Sequence, residues 1–264
     1  MPGRHEAQSV RRSRRVTAPW LPVGLMPGLT ITVGSSGPAG APGVAGGTLM
    51  ASPVRWSDAV RIIGSEYAGE SLFDQVASPS EYDDLIALAD LTSPAIRAAH
   101  GEIDLVPLGD RLYEPGTGLI MRAFSWPGHR SRFSDGKFGV FYAGGSVGTA
   151  VAETTYHQAR FLARIPAVVV EKTVLLVDVH ATLVDVRTPH PAPPNTYDPL
   201  NYAPAQAFGA AVRQQQAFGI VYDSVRDTPH GACVAIVRPP ALSPPVRVHQ
   251  TLEFHWDGHV ITVR

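Results

Sequence analysis

The sequence predicts an α+β protein built on a mainly antiparallel sheet, from two observations. Short runs rich in β-branched and aromatic residues recur in the second half of the chain, at 139–144, 167–179, 220–222, 232–237 and 252–263. Helical patterns stand at 146–162 and 203–218, without the regular strand–helix alternation of a parallel sheet.

The chain opens on a segment unlike the rest. Arg4, Arg11, Arg12, Arg14 and Arg15 precede a Pro- and Gly-rich run that reaches Gly47. Pro19, Pro22 and Pro27 interrupt its apolar patch, so disorder is expected for residues 1–49 rather than a secretory leader. Alternatively Met50 is the natural start and 1–49 an upstream over-extension. No window approaches the roughly 20 apolar residues of a transmembrane helix.

From Pro53 to Ala99 the pattern reads as helical. Val54, Ala59, Ile62 and Ile63 predict one amphipathic helix; Tyr82, Leu85, Ile86, Leu88, Ala89 and Leu91 predict a second, capped by Ser78 or Ser80. Residues 50–104 are therefore expected to form a helical preface, with the main domain at 105–264. The carboxylates of the preface, Glu66, Glu70, Asp74, Glu81, Asp83 and Asp84, read as a solvated face. Next, Leu119–Phe124 is predicted as a strand that leads into the centre of the chain.

That centre, Ser131 to Leu162, reads as a polar loop, a short strand, a glycine turn and a helix. Residues 139–144 favour the strand. Ser146 is the expected N-cap, and Val147, Ala150, Val151, Thr154, Phe161 and Leu162 fall near one helical face. Glu153 sits toward the edge of that face, where a carboxylate costs desolvation energy unless something pairs with it. Downstream, 167–179 is strand-like, 188–199 is a proline-rich loop, and a helix over 203–218 is ended by Gly219 at C′. Asp257-Gly258 marks a hairpin turn between the last strands.

With 44% hydrophobic and 17% charged residues the composition is that of a soluble globular protein, and a net charge of −1 gives no electrostatic argument for nucleic-acid or membrane partners. The single cysteine, Cys233, rules out an internal disulfide, and its apolar neighbours mark it as a core filler. His180, His190, His230, His249, His255 and His259 form no compact metal pattern, so no metal is expected. Gly144-Gly-Ser-Val-Gly148 lacks the lysine and register of a phosphate loop.

Four fragments follow in order: Arg132-Phe133, Tyr142-Ala143, Ala152-Glu153 and Tyr222-Asp-Ser-Val-Arg226. Together they resemble the RES domain family, named for an arginine, a glutamate and a serine. The resemblance covers roughly Leu105 to Val263. It implies a core similar to the ADP-ribosyltransferase toxins, two small mostly antiparallel sheets with inserted helices and NAD+ in the cleft between them. It further implies the toxin of a bacterial toxin–antitoxin pair, an NAD+ glycohydrolase or phosphorylase of the cytoplasm. Its partner would be an Xre-type helix-turn-helix antitoxin. NAD+ would be its substrate, with no cofactor, no direct nucleic-acid or membrane binding, and an open possibility of homo-oligomers.

The residue types suit that chemistry. Cleaving the nicotinamide–ribose bond develops positive charge on the ribose, which a carboxylate such as Glu153 stabilises. A pyrophosphate calls for fork-shaped cations, here Arg132 with Arg122 or Arg111. Tyr142 supplies an aromatic wall and Ser224 a hydrogen-bonding group of the pocket. The family places its first arginine on the opening strand, which favours Arg122 over Arg111. The Gly-Gly-Arg-Trp-Asn form of the second arginine is replaced here by His129-Arg-Ser-Arg-Phe133, which leaves Arg130 in competition with Arg132.

Each residue also has a plainer reading. Glu153 pairs at i,i+4 with His157 on a surface helix, Arg132 is a loop arginine, Tyr142 a core aromatic and Ser224 a turn residue. A protein-modifying ADP-ribosyltransferase and an inactive nucleotide- or partner-binding homologue are the alternative functions.

Overall fold

The computed structural model describes residues 49–69, 101–114, 116–228 and 230–264. The expected disordered start and the expected helix around Leu85 lie outside the described residues. The strands are β1 (Met50–Gly64), β2 (Phe141–Gly144), β3 (Val168–Asp185), β4 (Gly219–Asp223), β5 (Ala232–Ile236), β6 (Leu242–Trp256) and β7 (Ile261–Val263). The helices are α1 (Gly118–Ser125), α2 (Val147–Leu162) and α3 (Ala203–Gln214).

The strands hydrogen-bond in the order β1-β2-β5-β4-β3-β6-β7, and β1 also pairs with β3. That extra pairing closes β1, β2, β5, β4 and β3 into a ring, with β6 and β7 continuing from β3. Every pairing is antiparallel except β3 with β4. The expected mixed α+β class and antiparallel bias are present. The expected division into two small sheets is not, because the long strands β1 and β3, 15 and 18 residues, connect all seven strands as one sheet.

Alternation along the strands builds two cores. Val221, Val234 and Ile236 face the ring interior with Val54, Ala59, Phe141, Val177 and Val179, and α1 plugs it with Ile120, Met121 and Phe124. Ile220, Tyr222, Cys233 and Ala235 face the other way, onto Ala205, Phe208 and Val212 of α3 and onto Phe133. A smaller cluster seats α2 on the sheet, Ala150 against Val60 and Val174. Gly209 lets α3 approach the central loop, because a Cβ there would collide with the Phe133 carbonyl.

Two expected elements change type. Residues 50–64 form strand β1 rather than the first helix of a preface. The ladder with β3 shifts register between Trp56 and Ala59, where Asp58 adopts φ 60°. This bulge spaces the inward residues Val54, Trp56 and Ala59 unevenly, and so breaks the period of two that identifies a strand. Residues 119–124, expected as a strand, lie in α1. An apolar run of that length fits either element, and here the helix is what fills the ring.

The other landmarks stand close to expectation. The Ser146 hydroxyl caps α2, accepting from Thr149 N at 3.1 Å. Helix α3 is shorter than expected, ending at Gln214, with Gln216 rather than Gly219 taking the left-handed turn at φ 61°. The Asp257-Gly258 turn joins β6 and β7, with Gly258 at φ 103°.

Candidate active site

Strands β1 and β2 pair only at Val60 and Gly144. Beyond that point β1 stays with β3 and β2 stays with β5, so their edges part. A cleft of about 400 Å³ opens in the gap, lined by β1, β2, α2 and the loop before β2. Glu153, Arg132 and Tyr142 all line it, so three of the sequence-predicted residues meet in one place.

Glu153 projects from the middle of α2 and is anchored from behind. The Ser224 hydroxyl donates to its Oε1 at 2.6 Å. Ser224 is fully buried and does not line the cleft, so its contact is with the carboxylate. The same hydroxyl accepts from Arg226 N at 3.1 Å and Asp227 N at 3.0 Å, which folds the turn after β4 around it. One helical turn earlier, Thr149 Oγ1 donates to Asp227 Oδ2 at 2.7 Å. Thr149 and Asp227, which sequence reasoning passed over, thus clamp the turn and the helix together.

The His157 partner expected for Glu153 is present but distant, Nε2 to Oε2 4.0 Å. Desolvation, with Arg226, Arg132 and Arg160 nearby, lowers the His157 pKa despite the pull of Glu153. At neutral pH His157 is therefore a neutral neighbour rather than a countercharge.

Arg132 is buried, and its Nη1 donates to the carbonyls of Thr196 and Asp198, both at 3.1 Å. Its guanidinium stacks on Tyr202, 4.7 Å from the ring centroid. It lines the cleft while holding the proline-rich loop against the domain. Arg130 also lines the cleft, with its Nη2 on Gln206 Oε1 at 3.0 Å. The Tyr142 hydroxyl is fixed by Ser131 Oγ at 2.8 Å and by Phe133 N, which donates to it at 3.0 Å. Burial pushes this phenol up to about 12, so it stays protonated.

The arginine that sequence reasoning missed is Arg61. It stands on β1 where the strands part, donating from Nη1 to the Tyr142 carbonyl at 3.1 Å and lying over the Phe141 ring at 4.4 Å. Burial lowers its pKa to about 10, which leaves it cationic at neutral pH. The helical pattern of Val54, Ala59, Ile62 and Ile63 masks Arg61, although Val60-Arg61-Ile62 is a β-branched run around a charge. Neither sequence candidate for the family's first arginine lines this cleft. Arg122, on α1, faces an adjoining cavity, and Arg111 bonds the Val106 carbonyl and Asp104.

Cys233 borders the cleft but is buried, and burial aided by the Glu153 charge pushes its thiol up to about 12. That fits a core filler rather than a nucleophile. Among the described lining residues, Arg61, Arg130, Arg132 and Lys172 stand against one carboxylate, Glu153. Such a site suits a ligand with several negative charges and one centre that becomes positive.

No curated protein is significantly similar to the chain. Among solved structures, the M. tuberculosis MbcT–MbcA toxin–antitoxin complex is similar with a TM-score of 0.39 and 12% identity, over 78% of this chain and 87% of that chain. The family model of the RES domain matches residues 109–257, a span that includes Arg132, Tyr142, Glu153 and Ser224. The chain belongs to the RES domain family.

Proposed function

We propose that this protein cleaves the nicotinamide–ribose bond of NAD+ and is the toxin of a bacterial toxin–antitoxin pair. The observation that carries the reading is the Glu153 carboxylate, fixed by Ser224 at the wall of a cleft with three arginines. Membership of the RES family supports it.

In this reading Arg61 and Arg130 take the pyrophosphate, with Arg132 adding charge from beneath the loop it holds. Tyr142 packs beside the nicotinamide. As the glycosidic C–N bond breaks, its electron pair goes to the nicotinamide nitrogen, which leaves neutral. Glu153 stabilises the positive charge left on the ribose. Water attacks that carbon and releases a proton, giving ADP-ribose; attack by phosphate would make the reaction a phosphorolysis. Ser224 acts on the substrate through Glu153, as a positioning residue.

The test is incubation of the purified full-length protein with NAD+, following nicotinamide and ADP-ribose with and without phosphate. Free ADP-ribose marks hydrolysis, a phosphorylated product marks phosphorolysis, and label attached to protein marks a transferase. Absence of all three contradicts the proposal. Expression alone should arrest a bacterial host, and co-expression with a neighbouring Xre-type helix-turn-helix protein should relieve the arrest.

A further inference from the structure

A second cavity of about 520 Å³ adjoins the Glu153 cleft and shares Arg61, Ser131 and Tyr142 with it. Its outer wall comes from the segment between β1 and β2. Trp126 and Tyr67 stand there 43% and 49% exposed, with ring surface open to the cavity. Arg122 stands near both, its guanidinium 5.0 Å from the Tyr67 ring centroid and 5.5 Å from that of Trp126. Phe138 and Val140 are buried beneath. No carboxylate occurs among the described lining residues.

The wall is held in place. Glu102 N donates to the Ser125 carbonyl at 2.6 Å, and Gly101, at φ 65°, leaves the space the Trp126 indole occupies. Flat aromatic and guanidinium surfaces accept the faces of nucleobases whatever their edge pattern. The shared Arg61 sits where the phosphates of a two-ended ligand would cross from one cavity to the other.

We propose that this second cavity is a purine-nucleotide subsite, in which Trp126 and Arg122 stack on the adenine of the dinucleotide whose nicotinamide end lies beside Glu153. The assignment of ends rests on the reading of the Glu153 cleft given above, since only the first cavity holds the carboxylate.

AMP and nicotinamide mononucleotide are the probes, titrated separately into the full-length protein by calorimetry. Trp126→Ala and Arg122→Ala should each weaken AMP about tenfold, the typical worth of one stacked base, and change nicotinamide mononucleotide less than twofold. Trp126→Phe should keep most of the AMP affinity while abolishing AMP-induced quenching of tryptophan emission, which covers the case of a misfolded alanine variant. No AMP binding by the wild type, or unchanged AMP affinity in folded Trp126→Ala and Arg122→Ala, would overturn the subsite. If AMP binds through Trp126 but the wild type releases no nicotinamide, the cleavage reading fails and the subsite stands. Cleavage of NAD+ with unchanged KM in both variants has the opposite meaning.

Discussion

The Ser224 hydroxyl and the Glu153 carboxylate, 71 residues apart in sequence, meet at 2.6 Å. The serine comes from the turn after β4 and the glutamate from α2, so the bond fixes the carboxylate relative to the sheet as well as to its own helix. A surface carboxylate would gain little from such an anchor.

Ser224→Ala should therefore act on folding and turnover together. It removes one hydroxyl that serves the carboxylate and two backbone N–H groups, at a cost of about 2 kcal/mol. Nicotinamide release should fall in kcat more than KM rises, because the cleft arginines proposed to hold the pyrophosphate are untouched. Chemical unfolding and steady-state kinetics read the two effects; a variant of wild-type stability and kcat would show that the bond is incidental.

Arg61 should behave as a binding residue. Charge-assisted bonds to a phosphate are worth about 1.5–3 kcal/mol, so Arg61→Ala should raise KM for NAD+ roughly 10- to 100-fold. Arg61→Lys should recover only part of that, since an ammonium lacks the guanidinium fork. Equal KM values for wild type and Arg61→Ala would remove β1 from the site.

Arg132 calls for a different signature from the one its sequence position suggests. A loop arginine that only bound phosphate would raise KM on removal and leave stability alone. Arg132 is buried, bonded to two loop carbonyls and stacked on Tyr202. Arg132→Ala should cost about 2–3 kcal/mol and speed hydrogen exchange across residues 196–202. Unchanged exchange there would show that the proline-rich loop holds itself.

Asp185 gives an acid-sensitive contribution to stability. It is fully buried, and Arg187 donates to it from Nε at 3.0 Å and Nη2 at 2.6 Å. Burial alone would raise its pKa, but the hydrogen bonds from Arg187 and Ser52 outweigh it and hold the carboxyl below its usual value. A folded pKa below the unfolded value of about 3.9 means stability that is complete above that pH and lost as pH falls through the folded value. Asp185→Asn should be less stable by about 2 kcal/mol at pH 7, and the gap to wild type should close in acid. Urea midpoints for both proteins across that range check this; a gap independent of pH would assign the loss to packing.

Much of the candidate site was legible because it is local in sequence. Ser146, the α2 stripe and Glu153 follow from helix geometry, and Tyr142 follows from a four-residue strand. Arg132, Tyr142, Glu153 and Ser224 fall within the span the family model matches. Arg61 lies outside that span, on a strand whose bulge at Trp56–Ala59 disguises its periodicity. The placement of Arg122 turned on whether residues 119–124 fill a ring or join a sheet, a tertiary choice that a six-residue apolar run does not encode. Ring closure by β1 and β3 was likewise beyond pattern reading, since pairing partners far apart leave no mark on either strand alone.

In the proposed reaction Glu153 stabilises charge developing on the ribose of NAD+. The most direct measurement is nicotinamide release from NAD+ by the wild type and by Glu153→Gln, after unfolding curves establish that both are folded. The substitution keeps the shape and a hydrogen-bond acceptor for Ser224 but removes the charge. That role requires a kcat lower by about 10²–10³ with KM changed far less. A Glu153→Gln protein with wild-type kcat, or a wild type that releases no nicotinamide, would contradict it.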